Sequence, residues 1–291
     1  MTDTANASAI KPPRRRFARA AGIAIAAAML IAFAGGQAAA QGKAQKLRGV
    51  SDDWQFGLAA YAWLANLSGT ANIKGTDVDV DQGFNDIVRQ LDFVAAGMGE
   101  ARKGKWSLIG DAMYLKISDS GTTAIRDGLT ADLKFKFRQT LVAGYAGYRV
   151  WSDQDEPAAG VQGTDFDLLA GVRYNRLEPE LTGTLTALGI SQSGDAKDTV
   201  DWADPVIGAR LQFYPGQRSR IVLWGDVGGF GVGSDMTWQL MATYGYTFDN
   251  GWDLFAAYRA YAYDYTSGSG ANKTVMDLTT HGPVLGVGYK F

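Results

Sequence analysis

A chain of 291 residues with 28 Lys and Arg against 30 Asp and Glu has no basic surplus to meet a nucleic-acid backbone, and with no cysteine it excludes disulfide frameworks and thiolate metal sites. Its 37 glycines, 8 Trp, 13 Tyr, 13 Phe and only 7 prolines suit strands better than helices. One histidine leaves little for acid–base chemistry near neutral pH.

Residues 1–40 read as a cleaved export signal. Lys11, Arg14, Arg15, Arg16 and Arg19 form a basic head, residues 21–36 (AGIAIAAAMLIAFAGG) an apolar middle, and Ala38-Ala39-Ala40 a small-residue cleavage site before Gln41. The apolar run of 16 residues is short of the roughly 20 a spanning helix needs, which disfavours a membrane anchor. The stretch RRRFAR (14–19) also resembles a twin-arginine signal, a route for folded cargo that suits a strand-rich membrane protein poorly. Cleavage removes five of the 28 basic residues and one of the 30 acidic ones, Asp3, leaving 23 against 29 and a net charge of −6. After Gln41 no apolar run is long enough for a helical span. Residues 41–53 are read as a periplasmic N-terminal segment.

From Trp54 onward the chain alternates in polarity, in segments of about ten residues or more separated by turn residues. Ten are predicted: 54–66, 92–102, 106–118, 130–150, 164–178, 204–214, 219–231, 235–248, 251–266 and 274–291. The pattern predicts an all-β fold, an antiparallel transmembrane β-barrel over 54–291 with about ten strands, eight or twelve being the neighbouring counts. Even-numbered connections are mostly tight (103–105, 215–218, 249–250), whereas 67–91, 119–129, 179–203 and 267–273 are long. Residues 151–163 and 232–234 break that rule. The parity still puts both chain ends on the short-turn, periplasmic side.

The first long connection carries structure of its own. Residues 70–81 alternate around Lys74-Gly75 and predict a hairpin above the membrane. Phe84, Ile87, Val88 and Leu91 recur at helical spacing and predict a short amphipathic helix in this first external loop, either a plug folded into the barrel or a cap on its rim.

The last strand, GPVLGVGYKF, puts Leu285, Val287, Tyr289 and Phe291 on one greasy face. With its signal segment, alternating strands and terminal Tyr-x-Phe, the chain resembles the bacterial outer-membrane β-barrel proteins, the broad group of small porin-like barrels. The resemblance covers roughly residues 50–291. It implies that Val287, Tyr289 and Phe291 are the address read by the barrel-assembly machinery, and that the chain meets outer-membrane lipid and lipopolysaccharide. It does not imply a cofactor, and monomer is the default oligomeric state.

Parity also sorts the charges. Glu100, Asp111, Arg138, Arg173, Arg210, Asp226 and Arg259 fall opposite the greasy sequences of their strands, hence inside the barrel, because an Arg facing lipid at mid-depth costs about 2–4 kcal/mol. Such a lining is either a static paired core or an electrostatic path for small solutes. His281 falls on the lipid-facing parity near the outer interface, unless Gly282-Pro283 makes a bulge that reverses it. There it reads as an interfacial polar ring more readily than as a base for lipid A chemistry. The acidic runs 77–81 and 198–204 read as solvated loop charge, with divalent-ion bridging to lipopolysaccharide as the sharper alternative. The glycine run 228–233 ends a strand and no helix follows, so it is no phosphate cradle. The expected function is a non-enzymatic, porin-like outer-membrane barrel with at most limited passage of small solutes. The alternatives are a lipid A-modifying or proteolytic barrel using His281, and a closed structural or adhesive barrel with binding loops.

Overall fold

The computed structural model describes residues 52–73, 76–126, 129–153, 163–187, 190–270 and 273–291. The export signal expected over 1–40 and all but Asp52 and Asp53 of the 41–53 segment lie outside the described residues. Thirteen strands and one helix follow in order: β1 Gln55–Trp63, β2 Asn66–Ile73, β3 Thr76–Gln82, α1 Phe84–Gln90, β4 Leu91–Lys103, β5 Trp106–Arg126, β6 Leu129–Ser152, β7 Thr164–Ala187, β8 Ile190–Lys197, β9 Val200–Phe213, β10 Ser219–Gly229, β11 Met236–Thr247, β12 Trp252–Ser267 and β13 Thr274–Lys290. Ten of these form a closed antiparallel ring, β1-β4-β5-β6-β7-β9-β10-β11-β12-β13, sealed by β1 against β13 from Gly57↔Lys290 to Trp63↔Val284. Closure leaves no unpaired edge in hydrocarbon, the condition a spanning sheet must meet.

The outward parity of the ring is apolar. Leu58, Leu108, Leu168, Ile207, Leu240, Leu254 and Leu285 all lie about half exposed, a surface that water would not tolerate but a bilayer does. Aromatic rings line its periplasmic margin. Trp54 stacks on Phe56 at 5.9 Å, Phe56 on Phe291 at 5.7 Å, Phe291 on Tyr289 at 6.2 Å, and Tyr289 meets Trp252 edge-on at 5.5 Å. Phe291 also exchanges two backbone hydrogen bonds with Phe56, at 3.0 and 3.1 Å, so the terminal residue is part of the closing seam.

The long external connections are sheet, where the sequence predicted loops over 119–129 and 179–203. β5, β6 and β7 run 21, 24 and 24 residues, twice what a bilayer needs. Above the lipid no solvent demands a greasy face, so a stretch such as DSGTTAIR forms a strand without alternation to announce it. β8 pairs the upper half of β7, and the β2–β3 hairpin pairs the upper half of β13, so two sheets stand above the ring. Each begins opposite a proline. Pro179 accepts a bond from Asp198 N in the break between β8 and β9, and Pro283 accepts one from Leu64 N in the break between β1 and β2. A strand residue's N–H points the same way as its C=O, so each missing N–H faces a break where no ladder partner waits.

The β10–β11 connection is short because it turns within six residues. Gly229, Phe230 and Gly231 take φ of +89°, +51° and +72° in succession, which two glycines make accessible. The register of β13 stays continuous through Gly282 and Pro283, so no bulge reverses the parity of His281.

Candidate functional site

The inward residues form three tiers. Nearest the periplasm, Arg210 donates to Glu100 Oε2 at 3.0 Å and Oε1 at 2.8 Å, and to Asp167 Oδ2 at 3.0 and 2.8 Å. Arg102 bridges the same two carboxylates at 3.0 and 3.1 Å. Arg149 holds Asp167 and Asp165, each at 2.9 Å, and Tyr214 donates to Asp165 at 3.2 Å. The charged side chains come from β4, β6, β7 and β9, and Tyr214 directly follows β9; each strand contributes because its inward parity places a charge at the same height.

At mid-depth Arg259 pairs with Asp111 at 2.8 Å and donates to Gln239 and to Tyr61, whose hydroxyl donates to Asp111 at 2.6 Å. Its guanidinium lies 4.8 Å from the Trp63 ring. Arg173 pairs with Asp226 at 2.5 Å, within reach of Tyr145 and Thr237, and Trp224 Nε1 donates to Asp226 at 2.9 Å. Every one of these charged groups is nearly or fully buried. Pairing with extra hydrogen bonds is what makes that burial tolerable.

The outer tier is apolar. Trp202 stacks on Tyr265 at 4.3 Å and lies 5.1 Å from Tyr263, and the three pack with Leu141, Leu177, Met276 and Leu278. Asp204 fixes this lid from below, accepting from Trp202 Nε1 at 3.0 Å and from the backbone N of Ser234 at 2.6 Å.

Of the charges predicted to face inward, the structure brings Glu100, Asp111, Arg173, Arg210, Asp226 and Arg259 into the lumen. Arg138 is the correction. Inward residues of β6 are odd-numbered (Leu141, Tyr145, Arg149), whereas Arg138 is even and lies outside, 3.9 Å from Glu180. It stands with Lys116, Lys136 and Arg176, all ion-paired outward on the tall part of the sheet, beyond the apolar belt where the lipid penalty no longer applies. Sequence reasoning missed Arg102, Arg149, Asp165, Asp167 and Asp204. Their signal was available: Asp165 and Asp167 share the parity of Arg173, and Arg102 that of Glu100.

His281 faces outward, and its Nδ1 lies 2.8 Å from the Tyr258 hydroxyl, with no carboxylate in the pair. The helix α1 lies against β2 and β5 at the external rim and none of its residues is buried. Phe84 N donates to Asn66 Oδ1 at 2.8 Å, Gln90 donates to Asp119 at 3.2 Å, and Leu91 opens β4 instead of extending the helix. Among the described residues no group of three or more acidic or histidine side chains is placed to hold a metal ion.

A closed antiparallel ring of ten strands, greasy outside and ion-paired within, is an outer-membrane β-barrel, and the outer membrane is where such a chain resides. No family model matches the chain, and no curated relative matches it. Solved structures of similar architecture include the translocator domain of the autotransporter NalP from Neisseria meningitidis, at 13% identity over 93% of this chain and 96% of that one, TM-score 0.40. The outer membrane protease OmpT from Escherichia coli matches at 8% identity over 85% and 100%, TM-score 0.46. Ail, the attachment invasion locus protein of Yersinia pestis, matches at 13% over 82% and 99%, TM-score 0.27. A translocator, a protease and an attachment protein have no activity in common, and none is similar enough to lend its own.

Proposed function

We propose that this chain is a sealed, non-enzymatic barrel, porin-like in build, that passes at most the smallest solutes and offers its two external sheets for recognition. One observation carries the reading: beneath the Trp202–Tyr265 cluster the mid-depth pair Arg259–Asp111 crosses the ring from β12 to β5 and Arg173–Asp226 joins β7 to β10, so polar and apolar side chains fill the section in turn. A ten-stranded ring is little wider than the eight-stranded case that side chains just fill. Selectivity filters expose charge to passing ions, whereas here each charge is consumed by a partner. The outward position of His281 on Tyr258 argues against a barrel hydrolase. The test is conductance of purified protein in a planar bilayer: silence is expected, and reproducible unitary steps in the unmodified protein overturn the proposal.

A further inference from the structure

The lumen is not filled to its periplasmic end. Beneath Tyr61, Trp224 and Arg259 lies a cavity of about 180 Å³ whose mouth is formed by the β9–β10 turn and the end of β13. An apolar cavity of roughly 150 Å³ holds benzene, so this one has room for about seven heavy atoms and none for a membrane lipid. Its apolar wall comes from β4 and from β10 to β13, through Met98, Val222, Met241, Phe255 and Val284.

The charged groups around the cavity answer one another. Arg102 and Arg210 share Glu100 and Asp167, Arg149 holds Asp165 and Asp167, and Arg259 is paired with Asp111. At the mouth Arg218 meets Asp249, Arg220 and Lys290 both reach Asp253, and Lys290 also donates to Thr247 at 3.1 Å. Every charged side chain on the wall is thus already paired. An ion that enters gives up its hydration without meeting an unoccupied opposite charge.

One polar group differs. Thr243 lies on the inward row of β11 and lines the cavity, yet it is only 9% exposed. Its cross-strand neighbours are Val222 on β10 and Ala257 on β12, whose side chains neither give nor take a hydrogen bond. Its hydroxyl has no partner among the described residues. Buried hydroxyls are seldom left so, and the free energy lost to such an orphan is recovered by whatever pairs with it.

We infer that this cavity is a periplasm-facing binding site for a small uncharged amphiphile with a single oxygen group, an alcohol in the simplest case. Its oxygen pairs with the Thr243 hydroxyl, which can both donate and accept, and its carbon body lies against Met98, Met241 and Phe255. Discrimination against ions follows from the paired wall. The assignment goes beyond the sealed barrel and does not rest on it, since the cavity lies on the periplasmic side of the mid-depth pairs.

The two methionines on the wall supply the assay. The barrel, labelled with ¹³C at its methionine methyls and held in nanodiscs, is titrated with cyclohexanol. Methylcyclohexane is the size-matched analogue without the oxygen, and cyclohexylamine and cyclohexanecarboxylate are the charged ones. Cyclohexanol should shift the Met98 and Met241 methyls saturably and leave Met276, in the outer cluster, unmoved. Thr243→Val should weaken cyclohexanol about fivefold, the worth of one neutral hydrogen bond, and leave methylcyclohexane as it was. Thr243→Ser, which keeps the hydroxyl, should bind cyclohexanol as the unmodified protein does. Neither variant loses an internal side-chain bond, so heat-modifiable migration should persist in both. Absent or unsaturable shifts, the result if water alone fills the site or the solute only dissolves in the bilayer, would overturn the assignment. So would equal binding of either charged analogue, or a Thr243→Val protein that holds cyclohexanol as before.

Discussion

Arg210→Leu tests the paired lumen most directly. The wild-type guanidinium makes four hydrogen bonds, two to Glu100 and two to Asp167, and its side chain is 5% exposed. Removing one partner of a buried pair costs about 3–5 kcal/mol because the other charge is stranded. Here the two carboxylates fare differently. Asp167 keeps Arg102, Arg149 and Gln212, whereas Glu100 keeps a single bond from Arg102. Glu100 also has 30% of its side chain open to the cavity, where water can reach it, so the loss should fall near the lower end, about 3 kcal/mol. Trp224, whose ring lies 5.7 Å from the guanidinium, reports the local change by fluorescence during urea unfolding of the refolded barrel in detergent. The Arg210→Leu/Glu100→Leu double variant should recover at least 1 kcal/mol relative to the sum of the single changes, since neither then strands the other. An unchanged midpoint in Arg210→Leu, or strictly additive losses in the pair, would refute the network as described.

Deleting Phe291 removes two backbone bonds and a ring from the seam; outer-membrane levels should fall while refolding in detergent persists, and normal levels in cells would discard its role as an assembly address. His281→Ala should shift the unfolding midpoint by less than about 0.5 kcal/mol and leave the lipid A profile intact, since the ring contacts Tyr258 at the exposed surface; an altered profile would reopen the enzymatic reading. Asp264 lies beyond the membrane, on β12 facing Asp277 of β13, and its carboxyl is pushed up by burial and by the charges of Asp235 and Asp277. An acid with a raised folded-state pKa favours folding while protonated and costs stability as pH rises through that value. Asp264→Asn should therefore raise the unfolding temperature at pH 7 and change nothing below the ordinary carboxylate range; a drop at pH 7 would contradict the sign.

The membrane part of this fold was legible because hydrocarbon enforces it. Lipid punishes any outward polar side chain, so β1, β10, β11 and β12 advertise themselves as alternation and their limits come out within a few residues. Above the lipid that pressure ends. The upper halves of β5 and β7 are held by ladder bonds and by exposed side-chain pairs such as Lys116–Asp92 and Lys136–Glu180, and the strand predicted over 164–178 ends just before Pro179, whose missing N–H is harmless beside the β8–β9 break. Arg138 was misplaced for the same reason: a parity rule valid at mid-depth was carried to a height where charge may face outward freely. Parity could place Glu100 and Arg210 on the inner wall, but it is silent on partners, so the sharing of Asp167 by Arg102, Arg149 and Arg210 required three dimensions.

The two prolines have a consequence for how such a chain diversifies. Each marks a seam above which the superstructure can be removed, uncovering only the upper edges of β6 and β13, where water beyond the lipid meets the freed ladder groups. Excising residues 66–82 or 180–197 and rejoining the ends should yield a shorter, intact stave ring. Foreign hairpins could be transplanted at the same heights, so the outer decoration is free to change while the staves stay as they are.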